Sequence, residues 1–242
     1  VKVSLFITCL VDQFYPSVGV SAVRLLRRYG CDVDFPARQT CCGQPAFNSG
    51  YVAQARDVAR NQLEAFEDSD YVVSPSGSCT GMVHHYYHDL FAGDPALLAR
   101  AERLVAKTFE LSQFLVDVLK ITDVGARCPQ TATFHPSCHG SRLLGVREQP
   151  LELLRNVKDL TLIPLPKSQD CCGFGGTFAV KMSDISGSMV QEKVDNVASV
   201  GVDYLVSTDM GCIMNIAGQM RRRGMKTEPI HLAEFLWRFS QS

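Results

Sequence analysis

The sequence has little net charge and no long apolar run, and each shortage removes a class of function. Lysine and arginine number 24 against 25 acidic residues over 242 positions, for a formal net charge of −1. So even a balance argues against a nucleic-acid or anionic-membrane surface. The basic run Arg221-Arg222-Arg223 falls where a helix would end, where cations favour the helix dipole. No stretch approaches the ~20 apolar residues that a membrane helix needs. Residues 1–20 carry one lysine, an early Asp12 and no small-residue cleavage site, so they read as a buried first strand and not a secretory signal. A cytoplasmic protein is expected. Also missing are a nucleophile elbow, a phosphate-binding loop and a G-x-G-x-x-G fingerprint; the glycines of Gly173-Phe174-Gly175-Gly176 follow two cysteines and do not fit that pattern.

What is present is cysteine. Eight of the ten cysteines form two series, Cys9, Cys41, Cys42, Cys79 and Cys138, Cys171, Cys172, Cys212. Equivalent positions lie 129 apart at the first cysteine, 130 at the pair and 133 at the last. The flanks repeat as well. Tyr71-Val72-Val73-Ser74 before Cys79 answers to Tyr204-Leu205-Val206-Ser207 before Cys212, and Leu111-Ser112-Gln113-Phe114-Leu115 answers to Leu232-Ala233-Glu234-Phe235-Leu236. The chain is therefore an internal duplication. Its halves are residues 1–123 and 131–242, with 124–130, broken by Gly125 and Pro129, as the connection.

Hydrophobic periodicity predicts strands at 1–8, 31–35 and 71–73 in the first half, and at 131–135, 161–165 and 204–207 in the second. Helices are expected at 16–29, 51–66, from Cys79 and from Asp94-Pro95, with 108–119 closing the first half, then at 150–157, 181–199, 213–223 and 231–239. Strands alternating with helices predict an α/β fold. Each half would be a small, mostly parallel sheet flanked by helices, the two related by pseudo-twofold symmetry. Because all the repeated cysteines follow predicted strands, four sulfurs of each half can converge at one edge of its sheet.

Clustered cytosolic cysteines point to metal or redox chemistry rather than to a disulfide framework. Iron–sulfur clusters are held by thiolates, usually four per cluster, and each half offers four. Gly43 and Gly173, after the pairs, lack a Cβ and let backbone N–H groups approach sulfur. Cys79 and Cys212 at helix N-termini gain thiolate stabilisation from the dipole. Four thiolates also satisfy structural zinc, which stays open for one of the two halves. Cys31 and Cys128 have no counterpart and read as packing residues. His84 and His88 share one helix face and read as surface residues, and His231 as structural. His135 and His139 flank Cys138; beside a structural role, they are candidates for hydrogen bonding to cluster sulfur or for carrying protons.

The pattern of cysteine, about thirty residues, Cys-Cys-Gly, about thirty-five residues, cysteine, found twice, resembles the cysteine-rich CCG domain family. That family includes the B subunit of heterodisulfide reductase and iron–sulfur subunits of glycolate oxidase and anaerobic glycerol-3-phosphate dehydrogenase. Val3-Ser4-Leu5-Phe6-Ile7-Thr8-Cys9-Leu10-Val11-Asp12, Cys41-Cys42-Gly43-Gln44-Pro45-Ala46, Val72 to Cys79 and Cys171 to Phe178 are most similar to a lactate-oxidising branch of it. The resemblance implies a cytoplasmic redox subunit that works with two other proteins, one carrying ferredoxin-like clusters, to oxidise L-lactate to pyruvate. It implies a [4Fe-4S]-type cluster in each half, on the eight repeated cysteines, with zinc in one half as the variant seen among relatives. The heterodisulfide reductase subunits end the motif in Cys-x-x-Cys; here Met82 and Asn215 stand at the last position, which leaves the cluster type open. Two other readings remain: a family member acting on glycolate or a disulfide, and a zinc-binding scaffold.

Overall fold

Tyr71-Val72-Val73 and Tyr204-Leu205-Val206 are continuously apolar rather than alternating, as parallel strands covered on both faces require. The computed structural model, which describes residues 1–241, has that architecture. The first half runs β1 (Lys2–Leu5), α1 (Cys9–Phe14), α2 (Pro16–Arg28), β2 (Asp32–Asp34), α3 (Gln44–Asn48), α4 (Val52–Ala65), β3 (Tyr71–Ser74), α5 (Gly77–Phe91), α6 (Pro95–Lys107) and β4 (Thr108–Glu110). A short helix, α7 (Leu111–Gln113), continues as a π-helical turn over Phe114–Val118. The second half runs β5 (Thr131–His135), a π-helical turn (His139–Leu143), α8 (Glu148–Arg155), β6 (Thr161–Leu162), α9 (Phe178–Lys181), α10 (Ser183–Val200), β7 (Tyr204–Ser207), α11 (Met210–Arg222), β8 (Glu228–His231) and α12 (Leu232–Phe239). The two sheets have the orders β2-β1-β3-β4 and β6-β5-β7-β8, and every pairing is parallel. The fold is α/β in two duplicated halves.

Two strands were not expected. Thr108–Glu110 and Glu228–His231 are the fourth strands of their sheets, and the last helix, expected from His231, begins at Leu232. Both are short edge strands, and Pro229 is tolerated in β8 because an edge strand has a side without a partner. Strand 161–165 is shorter than expected, as β6 covers only Thr161–Leu162.

One buried cluster joins the halves. It takes Val3 and Leu5 from the first sheet, Ala132, Phe134 and Val206 from the second, and Val124, Ala126 and Cys128 from between them. α2 packs on α12, and its counterpart α8 packs on α7, so the joint is built twice. Arg28 lies 4.5 Å over the Trp237 ring and donates to Ser240 Oγ at 2.6 Å. The loops after β3 and β7 meet directly: Ser76 Oγ donates to Asp209 Oδ2 at 3.0 Å. Ser76 and Asp209 are equivalent positions of the repeat. Contact between equivalents is what a twofold relation produces on its axis.

Candidate metal centre

Each set of four cysteines gathers where strands end. Cys9 opens α1 just past β1, Cys79 is the third residue of α5 past β3, and the Cys41-Cys42 loop leads into α3. Cys9 Sγ lies 3.9 Å from Cys41 Sγ, and Cys42 Sγ 3.5 Å from Cys79 Sγ. In the second half Cys138, Cys171, Cys172 and Cys212 line the same cavity, with the Sγ atoms of Cys172 and Cys212 within 4.8 Å of each other. All ten cysteines are free thiols; Cys42, Cys79, Cys172 and Cys212 are buried, while Cys9 is exposed. Each set thus runs from the core to the surface. Cys31 and Cys128 lie buried in the shared core, apart from both sets.

The glycines after the pairs are fixed by geometry. Gly43 and Gly173 have φ of 88° and 81°, a left-handed conformation that glycine adopts freely. A Cβ on Gly173 would sit 2.7 Å from Ser186 O in α10, and one on Gly43 3.2 Å from Ala55 O in α4. The turn aims the Gly173 N–H at Cys171 Sγ, 3.4 Å away. The two last cysteines sit in the first turns of α5 and α11, where Ser76 caps one helix by accepting from Cys79 N and Asp209 caps the other by accepting from Gly211 N.

Charge is shared unequally within each set. Thiol hydrogen bonds from Cys42 and Cys9 pull Cys41 down to about 3. Those from Cys138 and Cys172 pull Cys171 down to about 2. The donors move the other way: Cys9, Cys42, Cys138 and Cys172 are all raised, by the hydrogen bond to the neighbouring sulfur and then by burial. Cys212 is raised too, since burial and Asp209 outweigh its hydrogen bond with Cys172. The first cysteine of each pair therefore carries the resting negative charge. Cys9, Cys42, Cys138, Cys172 and Cys212 ionise only when a cation compensates. Four soft donors with this polarity, two of them buried, fit thiolate-bound iron or zinc.

The residues packed around the two sets differ. Near the second set lie His135, fully buried at the end of β5, and Lys193, whose Nζ donates to Lys167 O at 2.8 Å. Burial, aided by Lys193, holds His135 neutral, down to about 3. At the equivalent of His135 the first half has Phe6, edge-on to Phe66 at 5.5 Å. Asn215, at the position of the missing thiolate, donates to Cys172 O at 2.8 Å; its counterpart Met82 is buried in the core, and Tyr87 OH donates to Cys42 O at 3.1 Å instead. His139 lines the space in front of Cys138, and burial lowers its pKa. His84 is not a free surface residue: Nε2 donates to Thr108 O at 2.8 Å, whereas His88 is exposed beside Asp89. His231 is structural, capping α12 at Ala233 N and donating from Nε2 to Pro75 O.

Lys193, Asp209 and Tyr87 were not singled out from the sequence. Lys193 had left a signal: it lies on the apolar stripe Val190, Val194, Val197 of α10. Asp209 was the charged residue within a matched apolar and small-residue segment.

All eight repeated cysteines line one cavity of about 400 Å³ between the halves. Ser76, Ser78 and Asp209 also line it, as do the apolar side chains of Phe174 and Val180. No helix among the described residues is long and apolar enough to cross a membrane.

A family model described as a cysteine-rich domain, CCG, matches residues 3–84 and 132–217. Lactate utilization protein A of Geobacillus thermodenitrificans is 55% identical over 97% of this chain and 98% of its own length. The protein of that name from Geobacillus kaustophilus is 56% identical over the same shares. A crystal structure of a hypothetical protein from Helicobacter pylori superposes on 100% of this chain with a TM-score of 0.66 and 9% identity, a likeness of fold alone. This chain spans 49% of that protein's length.

Proposed function

We propose, from the premise that this chain belongs to the cysteine-rich CCG domain family, that it is an iron–sulfur redox subunit in the oxidation of L-lactate to pyruvate. The observation that carries the reading is the single cavity onto which both four-cysteine sets open. Near full-length identity to proteins named for lactate utilization supports the substrate. Residues 1–123 and 131–242 are the repeated units. Cys9, Cys41, Cys42 and Cys79 would hold one cluster, and Cys138, Cys171, Cys172 and Cys212 the other.

Oxidising lactate to pyruvate releases two electrons and two protons. Clusters held by the two sets would supply single-electron acceptors. The chain's own part is to hold the two sets facing each other, to donate backbone N–H groups to sulfur as at Gly173, and to keep the space between them apolar on the Phe174 and Val180 side. We place the subunit in the cytoplasm with two partner subunits, one bearing ferredoxin-like clusters, to which the electrons pass.

Iron, acid-labile sulfide and zinc content, with an EPR spectrum, on protein purified without oxygen tests the reading. Iron with matching sulfide is expected, and zinc alone at both sets would overturn the redox role. Cys171→Ser and Cys172→Ser should each abolish lactate-dependent growth.

A further inference from the structure

We propose that His135 is a metal ligand of the second cysteine set, so that one half binds with thiolates and an imidazole while the other binds with thiolates alone. The inference rests on the reading that the cysteine sets hold metal, and it goes beyond the repeated cysteines.

A neutral imidazole has one N–H donor and one acceptor nitrogen, and burial leaves both in need of partners. In His135 both nitrogens are buried and neither has a hydrogen-bond partner. The ring is 0% exposed, so solvent cannot supply one. What the ring does face is sulfur. A nitrogen of His135 and the Sγ atoms of Cys172 and Cys212 all lie within 4.8 Å of one another. Among the described residues this is the one group of three such donors so closely gathered. Metal–sulfur bonds of about 2.3 Å and metal–nitrogen bonds of about 2.1 Å set donors on one tetrahedral ion roughly 3.6–3.8 Å apart. Small side-chain adjustments therefore close the site.

Packing alone does not account for the histidine. The duplication places Phe6 at the same point of the first half, where it is buried and stacks edge-on with Phe66. A flat apolar ring thus satisfies the position, and an imidazole adds only its two nitrogens. Asn215 turns its amide N–H to the Cys172 carbonyl. A neutral imidazole adds a ligand without the negative charge that a further thiolate would bring, and ligand charge is one of the factors that set a reduction potential. The two centres would then differ in ligand set.

The test uses protein purified without oxygen, unlabelled or with ¹⁵N-histidine. If the second set holds iron, pulsed EPR should detect a strongly coupled histidine nitrogen that changes with the label. It should persist in His139→Phe and vanish in His135→Phe, a substitution that the first half already accommodates at Phe6. If the second set holds zinc, X-ray absorption at the zinc edge should show one nitrogen in the wild type and none in His135→Phe. His135→Cys should retain metal, lose the nitrogen signal and lower the potential of an iron centre. Metal-loaded wild-type protein without a coupled nitrogen would overturn the assignment of His135 and leave the cysteine sets standing. Protein that takes up no metal at the second set would overturn both.

Discussion

At the scale of single residues, the cysteines were legible because spacing survives duplication, and their neighbours were not, because each half solved the same problem with different side chains. His135 against Phe6, Asn215 against Tyr87 and Asp209 against Ser76 fill equivalent or complementary places. A repeat comparison finds what is shared and passes over what differs, and the differences sit in the residues packed around the two sets. The shared glycines are a case where the reason could be tightened. Both were read as leaving room for sulfur; both are also demanded by the backbone. A non-glycine residue in the left-handed region costs roughly 1–2 kcal/mol, and the Cβ at Gly173 would further press on Ser186 O at 2.7 Å, against 3.2 Å to Ala55 O at Gly43. Gly173→Ala should therefore destabilise the chain by about 2–4 kcal/mol and Gly43→Ala by about 1–2 kcal/mol. Urea unfolding of both variants checks the order. Equal losses would show that the approach to α10 is not what fixes Gly173.

At the scale of elements, long helices such as α2 and α4 were readable from their period, and the edge strands β4 and β8 were not. Three or four residues carry no period, and tertiary pairing alone makes them strands. Each of these strands ends on a buried polar residue that caps the helix after it. Glu110 accepts from Ser112 N at 2.7 Å and Gln113 N at 3.2 Å, and its Oε1 has no partner. His231 does the same for Ala233 N. Burial raises Glu110 from 4.5 to about 7 and lowers His231 from 6.5 to about 4. The folded chain keeps the Glu110 proton that the unfolded chain loses above 4.5, so this residue removes stability as pH rises from 4.5 to about 7. The unfolded chain protonates His231 below 6.5 while the folded chain does not, so this one removes stability as pH falls from 6.5 to about 4. The two slopes oppose each other between 4.5 and 6.5. Glu110→Gln keeps an acceptor for the cap and abolishes the titration. Its stability relative to wild type should rise from little difference at pH 4.5 to a gain of roughly 3 kcal/mol above pH 7. A difference that does not vary with pH would mean that Glu110 is ionised in the folded chain.

At the scale of the molecule, the two cysteine sets face one cavity because the halves are joined along a twofold relation, and Asp209 stands on that join. Its Oδ2 accepts from Ser76 Oγ at 3.0 Å and Ser78 N at 2.9 Å across the interface, while its Oδ1 accepts from Gly211 N at 3.0 Å within its own half. One carboxylate therefore caps α11 and ties the loop that leads to Cys79 against the loop that leads to Cys212. Cap and tie can be separated, since Ser76, the equivalent residue, caps α5 with a hydroxyl. Asp209→Ser should keep the cap and lose the tie to Ser78 N, at about 1–2 kcal/mol. Asp209→Ala loses both and leaves the Gly211 and Ser78 amides without this acceptor, which should cost about 2–4 kcal/mol. Hydrogen exchange distinguishes the two contributions. The Ser78 amide should exchange faster in both variants, and the Gly211 amide only in Asp209→Ala. Protection at Ser78 that survives in Asp209→Ser would mean that the shared core formed by α2, α12, α7 and α8 holds the halves in register without the carboxylate.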